Sequence, residues 1–225
     1  LLLDNLIGHI KKLRQKNTKL IWDDYYTNTI LNNEYLQAKA GMVKSFVSAV
    51  EFNTMIYMGA NDGYFSCLFK DTGKQIISID GDANCINELY NKIRKEKIKT
   101  ILPLINNIAS PSPAIGWANA ERSSINDRLK ADVVMALALI HHLAIGCNLP
   151  LSFVADWLSK IAPNLIIEFV PKSDEQVKML LQNREDIFNE YTIEGFKAVF
   201  GRLYNIIKEE RVGNTGRVLF LMQLK

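Results

Sequence analysis

The residues able to do chemistry in this chain sit at the ends of short apolar runs. The first group is Gly59-Ala60-Asn61-Asp62-Gly63-Tyr64-Phe65-Ser66, directly after the run Met55–Met58. A glycine-bearing loop between a strand and a helix lets a ligand approach the backbone closely. Its Gly59-x-x-x-Gly63 spacing is not the full G-x-G-x-x-G pattern, since Asn61 stands where the middle glycine would be. No Gly-Lys-Ser/Thr follows, which excludes a P-loop. The second run ends in Ile79-Asp80-Gly81-Asp82. A carboxylate about 20 residues past the glycine loop can accept hydrogen bonds from a ribose diol, and its charge repels a 2′-phosphate. Asp82 also fits the N-cap of the helix that follows, whereas Asp80 belongs to the strand end. Loop and acid together point to an adenosine-type ligand.

Three further run ends carry polar groups. Asn106-Asn107 supplies amides that can donate and accept at a base edge, or simply form a turn. Leu137-Ala138-Leu139-Ile140-His141-His142 places two histidines at a strand's carboxyl edge. Neighbours on a strand point to opposite sides, so a shared metal is not expected. Either histidine can act as a general base or orient a substrate, and either can be a hydrogen-bonded structural residue. Glu168 closes the apolar run Ile166-Ile167, where an unpaired carboxylate is costly. It is therefore paired or placed at a cleft. No Ser-His-Asp arrangement, H-E-x-x-H or C-x-x-C occurs, which leaves hydrolase and metalloenzyme readings without support.

The elements that position these groups alternate after residue 50. Strand-like runs at Met55–Met58, Gln75–Ile79, Thr100–Ile105, Asp132–Leu139 and Asn164–Val170 are separated by helix-like stretches at Tyr64–Phe69, Ala83–Lys97 and Leu151–Ile161. Another helix-like stretch, Ser173–Gln182, follows. Near-continuously apolar strands spaced by helices predict a parallel sheet covered on both faces, doubly wound. Leu203–Lys208 and Arg217–Leu224 break the alternation. Val212-Gly213-Asn214-Thr215-Gly216 is a turn signal, and a loop that short makes the pair antiparallel. Residues 1–50 differ, with amphipathic helices at Leu1–Gln15 and Glu34–Val50 and an aromatic, polar loop at Trp22–Asn33.

Composition narrows the class. The chain has 225 residues, 48% hydrophobic and 23% charged, enough apolar surface to offset ordering entropy. The net charge of +3 includes basic runs at Lys11-Lys12-Leu13-Arg14 and Lys92-Ile93-Arg94-Lys95. They lack interleaved aromatics, so a nucleic-acid partner is not expected. Cys67, Cys85 and Cys147 lack metal spacing and read as thiols in a reducing, cytoplasmic setting. The longest apolar run, Val133 to Ile140, is far short of the roughly 20 residues of a membrane span. Without an initiator Met or signal sequence, the chain is expected to be part of a longer protein.

With these residues in place, the chain resembles class I S-adenosylmethionine-dependent methyltransferases. Met55 to Gly63 looks like their motif I, and Ile77-Ser78-Ile79-Asp80 like their acidic second-strand motif. The final hairpin is similar to theirs. Pro111-Ser112-Pro113-Ala114-Ile115-Gly116-Trp117, Leu137 to Ala144, Ile167 to Lys172, Arg184 to Phe188 and Tyr191-Thr192 resemble a bacterial nodulation-type methyltransferase-like subgroup. The resemblance implies a Rossmann-like doubly wound sheet of about seven strands, the last antiparallel through the C-terminal hairpin. An N-terminal helical extension and possible lid would occupy residues 1–50, and the S-adenosylmethionine-binding domain residues 51–225. It implies S-adenosylmethionine as cofactor, held by Gly59, Ala60, Asn61, Gly63, Asp80 and Asn107, with Tyr26 beside Tyr25 in a lid or in plain packing. His141 and His142 would border the pocket of a small-molecule or carbohydrate-like methyl acceptor. A preceding domain of the same full-length protein is the expected partner. Two positions depart from the pattern, since Tyr57 and Asn107 stand where relatives carry acids. Tyr57 therefore raises the alternative of a catalytically inactive module, acting as a cofactor sensor or an assembly domain.

Overall fold

The structure, a computed structural model, describes residues 2–13 and 33–225. The chain divides into a short N-terminal unit and one compact body, Asn32–Lys225. In the N-terminal unit, helix α1 (Leu2–Lys12) carries Leu3, Leu6, Ile7 and Ile10 at helical spacing and has no buried residue.

The body is built on a seven-stranded sheet of order β3-β2-β1-β4-β5-β7-β6. Its strands are β1 (Thr54–Met58), β2 (Gln75–Asp80), β3 (Ile101–Ile105), β4 (Val133–Ala136), β5 (Asn164–Phe169), β6 (Tyr204–Arg211) and β7 (Val218–Leu224). β7 lies antiparallel to both β5 and β6, and the remaining pairs are parallel. Every residue of β4 is buried, and β1 and β5 are buried after their first residue. Strands covered on both faces read as continuous apolar runs, which is why they were legible. The edge strands β3 and β6 show mostly exposed or half-buried residues.

The helices are α2 (Asn33–Val47), α3 (Tyr64–Cys67), α4 (Ala83–Glu96), α5 (Ile125–Arg128), α6 (Leu151–Ser159), α7 (Glu175–Leu181) and α8 (Ile193–Phe200). α2 seats Val43, Phe46 and Val47 in the core. α4 starts at Asp82, whose side chain accepts from the Asn84 amide, and ends at Lys97 in the left-handed region (φ 56°). The sequence reading left α8 unassigned. Its signals are the Thr192 N-cap, which accepts from Gly195 N–H, and Phe196 and Phe200 one turn apart. Phe196 is the hub of an aromatic cluster, with ring centroids 4.4 Å from Phe200, 5.2 Å from Phe220 and 5.4 Å from Phe169.

The fourth run is shorter than expected. β4 stops at Ala136, and Ala138 takes φ +49°, turning the chain off the sheet into a helical turn. His142–Gly146 is a π-helix closed by Cys147 N–H on His142 O, 2.9 Å. Single π-turns of this kind concentrate at functional sites.

Candidate functional site

Parallel strands β1, β2, β3 and β4 end together, so the groups singled out by sequence converge on one sheet edge. After β1, Gly59 and Ala60 both donate backbone N–H to Ile79 O, at 2.9 and 3.0 Å. The loop thereby leans on the end of β2. Gly59 (φ +72°), Asn61 (φ +48°) and Gly63 (φ +76°) are left-handed. Gly63 is required twice over. Its φ disfavours a side chain, and a methyl group there would collide with Leu89 Cδ1 of α4.

Asp80 clasps this loop. Its Oδ2 accepts from Asn61 N–H at 2.8 Å, and its Oδ1 accepts from Asp82 N–H at 2.9 Å. One carboxylate thus ties the glycine loop to the start of α4. Burial pushes its pKa up, and the amides of Asp82 and Asn61 partly offset this by bonding the charged form. Asp82 is the N-cap of α4, as expected, so the two acids have separate jobs. Next to them, Asn106 N–H donates to Asp80 O at 2.9 Å, and Gly81 lies against Asn107. Asn107 is exposed, and its Oδ1 accepts from Ala109 N–H at 3.0 Å. Both earlier readings of Asn107 therefore coexist: it forms a turn and sits beside Asp80.

The histidines differ from the strand expectation. They lie on the helical turn, not on β4, so consecutive side chains are not opposed. Their rings sit side by side, centroids 4.1 Å apart and tilted by 39°. His141 is fully buried, and neither ring nitrogen has a hydrogen-bond partner among the described residues. Leaving buried polar atoms unbonded costs about 1–3 kcal/mol each. Burial, then His142, Arg217 and Lys39, hold His141 well below the usual histidine range. Burial, with Arg217 behind it, pushes His142 down to about 4. Both imidazoles are neutral at pH 7.

Glu168 is paired. Lys39 of α2 donates to its Oε2 at 2.6 Å, and Tyr35 O–H to its Oε1 at 3.3 Å. Arg217 reaches Tyr35 Oη at 3.2 Å and grips Asp174 through Nε and Nη2, at 2.7 and 3.0 Å. Glu168, Lys39 and Arg217 are each at most 3% exposed. Sequence reasoning missed Tyr35, Lys39, Asp174 and Arg217, which are scattered over more than 180 positions and meet only through the fold. Lys39 also lies 5.2 Å from the Phe65 ring centroid. Phe65 in turn stands edge-on to Tyr57, centroids 6.3 Å apart, and Tyr57 is 1% exposed. The position where the family resemblance implies an acid is thus filled by a packed aromatic ring. Tyr26 and Tyr25 lie outside the described residues. No described helix is long and apolar enough to cross a membrane, and no metal-binding group of His, Cys, Asp or Glu occurs among the described residues.

No family model matches the chain. It is 34% identical over 204 residues to Nodulation protein NoeA of Rhizobium meliloti (strain 1021), an alignment covering 90% of this chain and 43% of NoeA. The chain therefore spans less than half the length of that relative. Among solved structures, magnesium protoporphyrin IX methyltransferase (ChlM) from Synechocystis PCC 6803 with bound SAH matches with TM-score 0.61 and 14% identity. That match covers 91% of this chain and 92% of ChlM. N-methyltransferase NodS from Bradyrhizobium japonicum WM9 matches with TM-score 0.59 and 11% identity, over 87% of this chain and 99% of NodS. Strand order, the antiparallel β7 and these matches agree: the chain has the class I S-adenosylmethionine-dependent methyltransferase fold and is a relative of NoeA.

Proposed function

We propose that this chain transfers a methyl group from S-adenosylmethionine to a small-molecule or carbohydrate-like acceptor. The observation that carries the reading is the Asp80 clasp, which brings glycine loop and strand-end acid into one site. The residues fit the cofactor. Each Asp80 oxygen accepts a backbone amide hydrogen bond and keeps a lone pair for a ribose hydroxyl. Gly59, Ala60, Asn61 and Gly63 supply the backbone against which the methionine end would lie. Asn107 keeps its Nδ2 donors for an adenine ring nitrogen, since Oδ1 serves its own turn. S-adenosylmethionine, when bound, supplies the activated methyl group, so the chain's task is alignment.

His141 and His142 are assigned to the acceptor. Neutral imidazoles accept hydrogen bonds from an O–H or N–H and place no positive charge beside a sulfonium. A histidine with a pKa of about 4 is a weak base. It orients the nucleophile and receives the proton as the new bond forms, rather than ionising an alcohol beforehand. The bacterial relative and the methyltransferase neighbours support this reading, and a cytoplasmic location goes with it. The remaining length of NoeA supports a further domain of the same protein as partner.

Buried Tyr57 favours a second reading, a catalytically inactive module that senses the cofactor or assembles a larger protein. Calorimetric titration with S-adenosylmethionine and S-adenosylhomocysteine separates the two, followed by an acceptor screen. Saturable one-site binding, lost in Asp80→Ala and weakened in Asp80→Asn, with turnover on a screened acceptor, supports the transferase. Binding without turnover favours the sensor. No binding up to millimolar ligand overturns the transferase and the sensor and leaves the assembly module.

A further inference from the structure

A second cleft opens on the same sheet edge, three strands away from the glycine loop. It has a volume of about 650 Å³ and lies between the segment after β5, the start of α8 and the β6–β7 hairpin. That size is within the usual range for small-molecule sites. The topology fixes its side. β6 runs parallel to β5, so Arg211 at its end, Lys172 just after β5 and Gly216 before β7 all lie at the carboxyl edge.

Three cations line it: Lys172, Lys197 and Arg211. Two are already tethered. Lys172 Nζ bonds both carboxylate oxygens of Asp186, at 2.7 and 2.8 Å. Lys197 Nζ bonds Glu209 Oε1 at 2.6 Å, and lies 5.8 Å from the Phe220 ring centroid. Arg211 is exposed and meets no carboxylate among the described residues. Glu209 and Arg211 are two apart on β6 and project from one face, so the free guanidinium stands beside the tethered lysine. Gly216 keeps the floor open. A methyl group there would lie 3.0 Å from Pro171 Cγ. Ser173 and Thr192 bring hydroxyls to the wall.

We infer that this cleft is an anion-binding subsite that takes a singly charged acidic group, a carboxylate or a sulfate ester, on the body of the methyl acceptor. The charge count decides the class. After the two tethered lysines are matched by their acids, one positive charge remains, on Arg211. A guanidinium fork matches two oxygens of a carboxylate or sulfate. Serine and threonine hydroxyls suit the neighbouring hydroxyls of a sugar ring. The proposal rests on the methyl-transfer reading for the word acceptor, while the anion site itself stands on the cleft.

The test is an amide proton–nitrogen titration of the full chain at low salt. The probes are D-glucuronate, glucose 6-sulfate and, as neutral control, D-glucose, each with and without S-adenosylhomocysteine. Saturable shifts at Ser173, Thr192, Arg211 and Gly216 with both acids and none with glucose are expected. Arg211→Glu should weaken acid binding at least tenfold, Arg211→Lys less, and added salt should weaken it in the wild type. Carboxylate and sulfate are told apart by their relative affinities. Equal shifts with glucose, unchanged binding in Arg211→Glu, or shifts scattered over surface lysines would overturn the proposal. Acid binding without S-adenosylhomocysteine binding supports the anion site and removes the methyl-transfer reading. S-adenosylhomocysteine binding without acid binding does the reverse.

Discussion

Lys39→Met is the perturbation whose outcome the structure fixes most tightly. It removes the 2.6 Å partner of Glu168, a carboxylate with no solvent exposure. Removing one member of a buried ion pair costs about 3–5 kcal/mol, because the other charge stays desolvated. Here Tyr35 O–H at 3.3 Å and Arg217 at 4.0 Å remain, so the lower end applies. A loss of about 3 kcal/mol lowers Tm by roughly 6–12 °C at this chain length. Lys39→Met/Glu168→Met removes both charges and leaves Arg217 on Asp174. It should fall within about 1 kcal/mol of wild type. The assay is urea unfolding of wild type, both single variants and the double variant, read as a thermodynamic cycle. A single-variant loss under 1 kcal/mol, or a double variant as unstable as the two singles summed, would refute the argument.

Four further outcomes are expected. Gly63→Ala forces a methyl group onto Leu89 at a left-handed φ and should cost about 2 kcal/mol, measured by thermal unfolding. Ser66→Ala leaves buried Ser78 Oγ without its 2.7 Å partner and should cost about 1–3 kcal/mol, while Ser66→Ala/Ser78→Ala recovers most of it. His142 has a folded pKa of about 4, below its unfolded value near 6.5. The unfolded chain binds the extra proton, so stability is lost as pH falls from about 6.5 towards 4, by on the order of 3 kcal/mol, and His142→Gln should flatten that slope. Arg184 donates to Ile145 O and to Asn148 Oδ1 and lies over the Phe188 ring. Arg184→Gln should loosen the π-turn and move the His142 resonance toward ordinary titration by NMR, with S-adenosylhomocysteine affinity unchanged.

The legible parts of the site were those written in contiguous residues. Gly59 to Gly63 and Asp80 declare themselves by type and distance from an apolar run, because loop and acid both follow buried strands. The clasp between them was not legible, since it depends on which Asp80 oxygen faces which amide. The histidines show the limit of periodicity. Val133 to Ile140 is apolar throughout, and such a run does not say where strand becomes helix. The break comes at Ala138, an alanine in a left-handed conformation that carries no composition signal. It turned two opposed side chains into a side-by-side, tilted pair. α8 went unseen because it is only eight residues long, with Gly195 in its first turn, too short for helical periodicity to declare itself.

Sequence by itself determined the alternation of strands and helices, the antiparallel hairpin, the glycine loop, the strand-end acid and the departure at Tyr57. Each depends on local periodicity, turn chemistry or a residue type at a fixed interval. Tertiary structure alone decided that Glu168 is neutralised by Lys39, that Arg217 joins α2 to α7 through Tyr35 and Asp174, and that the His141 ring nitrogens meet no hydrogen-bond partner among the described residues. It also decided that Lys172, Lys197 and Arg211 share a cleft. These are pairings between residues far apart in the chain. Their energies come from burial and from hydrogen-bond geometry, and neither exists until the sheet has assembled.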